Sequence, residues 1–161
     1  MKTLFLLRHA KSDWNDSSLR DFDRPLAARG ERDAPRIGKA LRKRGPLPDL
    51  IISSPAARAK ATIEAVTKAA KLNLEIRFDE AVYGASSPEL ISLIRGLPDK
   101  NSCLLLVGHN PGFEDLIGRL SVSRTSREAS SLAIEVLKDP LALPLQPAAL
   151  VQAQNSRIVV C

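Results

Sequence analysis

The feature that most constrains the fold is residues 103–107 (CLLLV), which are apolar at every position. A run this short is a strand rather than a helix. Having no polar alternate positions, it needs cover on both faces, as the central strand of a parallel sheet does. Residues 2–7 (KTLFLL) and 50–53 (LIIS) repeat the pattern, and 74–78 alternates as a half-exposed strand would. Between these runs lie segments with helical spacing. Residues 31–44 carry Ala34, Ile37, Ala40 and Leu41, with Pro35 expected in the first turn, and Gly45-Pro46 ends the helix. From Ser54-Pro55, read as N-cap and first helical residue, a helix is expected to about Lys71, with Ala59, Ile63, Val66 and Ala70 on one face. Ser86-Ser87-Pro88-Glu89 opens a third helix with a capping box, which Gly96-Leu97-Pro98 closes, and residues 112–120 form a short fourth. Residues 132–137 are expected as the last core strand, and a weaker strand signal returns at 157–160 after a Pro-rich stretch from Lys138. Alternation of this kind predicts an α/β fold, three-layer α/β/α with a mostly parallel central sheet, in a single domain over 1–161.

Composition enters by exclusion. With 44% hydrophobic and 26% charged residues the 161-residue chain has the proportions of a globular domain and can bury a substantial core. No apolar run reaches the roughly 18–20 residues of a membrane helix. The opening MKTLFLLRHA stops at Arg8, too short for a signal-peptide core, so a cytoplasmic location is expected. Cys103 and Cys161 lack metal-ligand spacing and are expected as reduced thiols. The net charge of +6 favours anionic partners. Nucleic acid is disfavoured, because aromatics are only 4% and Arg42-Lys43-Arg44 reads as a solvated helix end.

In α/β sheets, ligands bind outside the carboxyl ends of the strands. There the sequence is unusual. The first strand ends in Arg8-His9, the second in Ser53-Ser54-Pro55 with Arg58 just beyond, and the apolar strand in Gly108-His109-Asn110-Pro111-Gly112. Both histidines of the chain thus follow core strands. Taken singly, Arg8-His9 is a surface pair, Gly108–Gly112 a tight turn and Arg58 a solvated side chain. Taken together, two imidazoles and two guanidiniums converge on one sheet edge. Guanidinium forks match phosphate oxygens, a helix start adds free N–H donors, and imidazole can act as nucleophile or donor near neutral pH. Phosphoryl transfer through a covalent histidine intermediate is the chemistry that set could perform.

At these residues the chain resembles the histidine phosphatase (phosphoglycerate mutase-like) superfamily. Arg8-His9-Ala10 is similar to its R-H-G/A signature, and Arg24-Pro25-Leu26 with Gly30 to R-P-L-T-x-x-G, with Ala27 in place of the usual Thr or Ser. Residues 53–62 are similar to S-S-P-x-x-R-A-x-x-T, and Val107-Gly108-His109-Asn110-Pro111 to the second histidine motif. In size and motif wording the likeness is to the small SixA-type phosphohistidine phosphatases. The resemblance implies a phosphoglycerate mutase-like fold, with no cofactor and no metal. It implies His9 as nucleophile, Arg8 and Arg58 as the phosphoryl clamp, and His109 as a second donor. It also implies Asn15 and Ser12 as further phosphate-pocket residues and Glu80, in Glu80-Ala81-Val82-Tyr83-Gly84, as proton donor. Read on its own, Glu80 is an exposed carboxylate before a turn, and Asn15 and Ser12 are turn formers. The expected partner is a phosphohistidine-bearing phosphotransfer protein, and the alternative is a small phosphate ester. The tail departs from the family pattern, having no aromatic residue and Arg127–Ser131 where a Pro-Thr pair is usual.

Overall fold

The computed structural model describes residues 2–122, 134–136 and 156–160. Its strands are β1 (Lys2–Arg8), β2 (Leu50–Ser53), β3 (Ile76–Phe78), β4 (Cys103–Gly108), β5 (Ile134–Val136) and β6 (Ser156–Val160). Its helices are α1 (Ala28–Arg44), α2 (Ala57–Ala70), α3 (Ser87–Arg95) and α4 (Gly112–Val122), with 3-10 turns at Asp21–Asp23 and Glu80–Val82. The sheet order is β3-β2-β4-β1-β6-β5, and every described pair of neighbours is parallel. This is the α/β architecture with a parallel sheet expected from the alternation, and the phosphoglycerate mutase-like fold that the resemblance implies.

The two faces of the sheet account for the apolar strands. On one face Phe5 and Leu7 of β1 and Leu105 and Val107 of β4 pack with Ala34 and Leu41 of α1 and Ala59, Ile63 and Val66 of α2. On the other, Leu4, Leu6, Leu104 and Leu106 pack with Leu90 of α3 and Phe113 and Leu116 of α4. Alternate residues thus serve opposite layers, so no position of β4 is free to be polar, and all six residues of that strand are buried. Cys103 is a free, buried thiol, which burial and then the nearby Asp49 carboxylate push up to about 12. Cys161 lies outside the described residues.

Several boundaries differ from those read in the sequence. Helix α1 begins at Ala28, three residues before the expected Glu31, so Pro35 sits inside the helix. The early turn carries no apolar stripe, and what holds it is a close approach. A Cβ on Gly30 would come within 2.3 Å of the Lys11 carbonyl oxygen. Helix α1 stops at Gly45, whose φ of 44° few other residues adopt. Helix α2 begins at Ala57 with Ala56 as its N-cap, so Ser54 is not the cap. Strand β3 keeps only Ile76–Phe78, because pairing with β2 starts at Ile51 opposite Ile76. The capping box at Ser86 is present, with the Ser86 N–H donating to Glu89 Oε2 at 2.8 Å. Within the expected strand 132–137, β5 is an edge strand, whereas the weaker signal gives β6, which pairs with β1. Residues 123–133 and 137–155, with the expected Pro-rich stretch and most of the atypical tail, lie outside the described residues.

Candidate active site

Parallel registry assembles the site. Arg8 lies opposite Gly108 and Ser53 opposite Val107, so the chain leaves β1, β2 and β4 at one level. The His9 N–H donates to the Gly108 carbonyl (3.1 Å) and the Ser54 N–H to the Val107 carbonyl (2.9 Å), which extends the ladder one step into the site. The rings of His9 and His109 stand 5.1 Å apart, tilted by 53°.

Arg58, 5% exposed, joins the two histidines. Its Nε–H donates to His9 Nε2 at 3.2 Å, and Nη2 lies 3.4 Å from His109 Nδ1. A guanidinium can only donate, so the facing ring nitrogens are acceptors. The remaining nitrogens complete the assignment. His9 Nδ1–H donates to the Ala10 carbonyl (2.8 Å), and His109 Nε2–H donates to Ser54 Oγ (2.8 Å). The Ser54 hydroxyl also receives the Ala56 N–H at 3.3 Å, so its role is to orient His109 rather than to cap α2.

Both imidazoles are held uncharged. His9 is lowered to about 4, chiefly by burial, which outweighs the opposing pull of the Ala10 carbonyl, with Arg58, Arg8 and Arg24 lowering it further. His109 is likewise lowered to about 4 by burial, Arg58 and His9, with Asp21 opposing. A neutral His9 with its proton on Nδ1 carries its lone pair on Nε2, the nitrogen that faces Arg58.

Behind this pair, Thr62 Oγ1 accepts the Ala10 N–H at 3.0 Å and donates to the Arg58 carbonyl at 2.6 Å. In front of it stands Asp21. Its Oδ2 accepts from Arg58 Nη2 (2.8 Å) and from the Tyr83 hydroxyl (2.9 Å), Arg24 Nη1 lies 3.4 Å from its Oδ1, and its main-chain carbonyl accepts from Arg58 Nη1. Partial burial works to raise the Asp21 carboxyl, but the Arg58 and Tyr83 hydrogen bonds and the nearby guanidinium charges outweigh it and leave the carboxyl below its ordinary range. The Tyr83 ring meets His109 edge-on at 5.4 Å and Phe22 at 5.0 Å. Arg20, Asp21, Phe22, Glu80 and Tyr83 line an open cleft of about 440 Å³.

Of the residues expected from sequence, His9, Arg58 and His109 are in mutual contact. Arg8, exposed at the end of β1, acts on both imidazoles through its charge. Glu80 is exposed and lines the cleft beside Tyr83. Ser12 is buried and accepts from Arg24 Nη2 at 2.8 Å, so it positions a cation that bears on His9. Asn15 is exposed in a turn where its N–H donates to Asp13 Oδ1 at 2.9 Å. Asp21 was not expected. The only sequence signal for it is a carboxylate placed three residues before Arg24 in a polar loop. Among the described residues no group of three His, Cys, Asp or Glu side chains could hold a metal ion, and no helix is long and apolar enough to cross a membrane.

Fold and site together define an α/β domain with two neutral histidines and a buried arginine at the carboxyl edge of a parallel sheet. The chain belongs to the histidine phosphatase superfamily, branch 1, whose family model matches residues 4–89. Among solved structures it is similar to a protein from Agrobacterium tumefaciens that carries the name phosphohistidine phosphatase SixA. The TM-score is 0.69 at 33% identity, over 78% of this chain and 86% of that one. A SixA-named protein from Nakamurella multipartitia gives 0.64 at 31% identity, over 80% and 73%. An uncharacterised chloroplastic protein of Arabidopsis thaliana is 36% identical over 74% of this chain and 59% of its own length. The chain spans about three fifths of the first curated relatives it matches.

Proposed function

We propose that the chain is a phosphohistidine phosphatase that works through a covalent phospho-His9 intermediate. The observation that carries this reading is the state of His9: uncharged, its proton held on Nδ1 by the Ala10 carbonyl, its Nε2 lone pair beside the buried Arg58.

In the first step the Arg58 Nε–H turns from His9 Nε2 to a phosphoryl oxygen, and the freed Nε2 lone pair forms a bond to phosphorus while the bond from phosphorus to the substrate's ring nitrogen breaks. The departing nitrogen keeps that bonding pair and takes up a proton. Attack leaves positive charge on the His9 ring, which the Ala10 carbonyl stabilises through Nδ1–H, as a carboxylate does for the histidine of a hydrolytic triad. Arg58 and Arg8 neutralise the equatorial oxygens as they move through the transition state, and His109 joins them as a donor once Nδ1, the nitrogen facing Arg58, carries a proton that the phosphoryl charge stabilises. In the second step water attacks phosphorus, the bond to Nε2 breaks, and phosphate and a proton leave. Glu80, on the wall of the cleft, is the proton donor in this scheme.

A protein-borne substrate is supported by the open cleft and by the way the connection that precedes α1 is tied down. The long connection between β1 and α1 is folded onto the domain through the Ser12–Leu26 bridge and the Asp21–Arg58 pair. A second reading, hydrolysis of a small phosphate ester, is favoured by Glu80, since an alkoxide needs a proton donor more than an imidazole does. The likeness to phosphoglycerate mutase 1 of Saccharomyces cerevisiae, 35% identical over 91 residues, belongs with that reading.

The test is mass spectrometry after brief exposure to a phosphodonor. Phosphate on His9, absent from His9→Ala, is expected. Undiminished turnover by His9→Ala overturns the mechanism. Higher kcat/KM for sugar phosphates than for a phosphohistidine protein overturns the substrate assignment alone.

A further inference from the structure

The guanidinium that the proposed reaction needs is already engaged by an anion of the protein itself. Arg58 donates from Nε to His9, from Nη1 to the Asp21 carbonyl and from Nη2 to Asp21 Oδ2. Its side chain is only 6% exposed, whereas that of Asp21 is 52% exposed. Arg58 is therefore fixed, and the partner able to leave is the carboxylate. Tyr83 and Arg24 hold that carboxylate from two further sides, so a cation on either side and a hydroxyl surround one negative group beside the His9–His109 pair. A phosphoryl group brings more negative charge to the same donors.

We propose that Asp21 is a resident competitor for phosphate. Its carboxylate occupies the Nη2 donor of Arg58 in the free protein, gives that donor up when a phosphoryl group binds, and returns to it as inorganic phosphate leaves. Asp21 thereby sets the affinity of the site for phosphate and limits inhibition by product. The inference rests on the reading of the pocket as a phosphoryl site. A destination for the displaced carboxylate exists: Arg24 Nη1 already lies 3.4 Å from Asp21 Oδ1, and Arg24 Nε is buried without a hydrogen-bond partner among the described residues. A ligand that must displace an internal group binds more weakly by the fraction of time that group is in place. The same factor weakens substrate and free phosphate alike, but a substrate has further contacts that keep it bound, whereas phosphate has none and is released.

The test is isothermal titration of inorganic phosphate into the wild-type chain, Asp21→Asn and Asp23→Asn, each also assayed for inhibition by phosphate. Asp23 lies on the same 3-10 turn, bonds to Arg20 at 2.7 Å and carries the same charge, so it reports the field effect alone. Asp21→Asn is expected to bind phosphate about tenfold more tightly and to be inhibited at correspondingly lower phosphate, with Asp23→Asn changing either by less than about twofold. Equal tightening in both variants, or no tightening in Asp21→Asn, overturns the proposal. Arg58→Ala separates the two layers of argument. If it abolishes phosphate binding while Asp21→Asn does not tighten it, the pocket reading stands and the competitor falls. If Arg58→Ala leaves phosphate binding unchanged, both fall.

Discussion

The rings of His9 and His109 are 5.1 Å apart, centre to centre, although 100 residues of chain separate them. Two imidazolium ions at that distance, with Arg58 between them, would repel strongly, which reinforces the neutrality that burial imposes on each ring. Because the chain has two histidines in all, both can be followed by NMR without ambiguity. Each is expected to titrate with a midpoint near 4 instead of 6.5.

That shift has a direction for stability. The unfolded chain protonates its histidines near 6.5 and the folded chain near 4, so between those values the unfolded state binds more protons. Stability from this source is complete above about pH 6.5 and is lost as pH falls toward 4. Urea midpoints measured from pH 8 to 4 should decline across that window, and less so in His109→Gln. Nucleophilic activity should persist well below pH 6 and fail near 4, when Nε2 takes up a proton.

Thr62 couples the His9 segment to helix α2. Thr62→Val removes the acceptor of the Ala10 N–H, a partly buried donor, and the hydroxyl that bonds the Arg58 carbonyl. Leaving such a donor unsatisfied costs about 1–3 kcal/mol. Denaturant titration should show that loss. If the link also aligns His9 with Arg58, kcat should fall while the NMR midpoints of both rings stay low.

Gly30→Ala tests the packing that starts α1 early. The added Cβ would meet a main-chain oxygen at 2.3 Å, and that oxygen also accepts the Ala27 N–H at 2.9 Å, so neither side yields cheaply. Overpacking of this kind costs about 1–3 kcal/mol. The loop from Lys11 to Arg24 should loosen with it, seen as a lower melting temperature and faster amide exchange in that loop.

The parts of this molecule that were legible in sequence are those with a periodic or positional signature. β4 is apolar throughout because two layers use it, and His9, Arg58 and His109 follow strands that parallel pairing brings level. What sequence did not disclose depends on contacts between distant segments. Ser54 satisfies the local rule for an N-cap but is drawn to His109, 55 residues away. Asp21 lies in a loop without period, and its meaning comes from Arg58, 37 residues on. The start of α1 has no apolar stripe because a glycine's close approach to Lys11 replaces it. Helix α1 also tolerates Pro35 in its interior, which propensity alone argues against.

The positive balance of the chain, +6, gives the proposed phosphoprotein substrate a long-range attraction. Raising ionic strength from 0.01 to 0.15 M shortens the screening length from about 30 to about 8 Å. The kcat/KM for an acidic phosphohistidine protein should drop across that range, with little change for a small neutral-leaving phosphoramidate. An unchanged value for the protein substrate removes steering from the account.

The proposed role of Glu80 as proton donor predicts a difference between leaving groups. It is exposed on the cleft wall with Tyr83 and Asp21. An imidazole already protonated on its other ring nitrogen leaves as a neutral molecule, so the proton Glu80 offers is dispensable for it, whereas an alkoxide at neutral pH is a far stronger base and needs a positioned acid. General acid catalysis of that kind contributes about 10²–10⁴-fold. Glu80→Gln keeps the shape of the wall and removes the proton. Hydrolysis of a phosphate monoester should fall by at least the lower figure, with phosphohistidine hydrolysis changed several-fold or less. Equal losses on both substrates would mean that Glu80 holds the substrate rather than protonating it. Loss on neither would leave Tyr83, whose hydroxyl burial and Asp21 together keep protonated above its ordinary range, as the remaining donor on that wall.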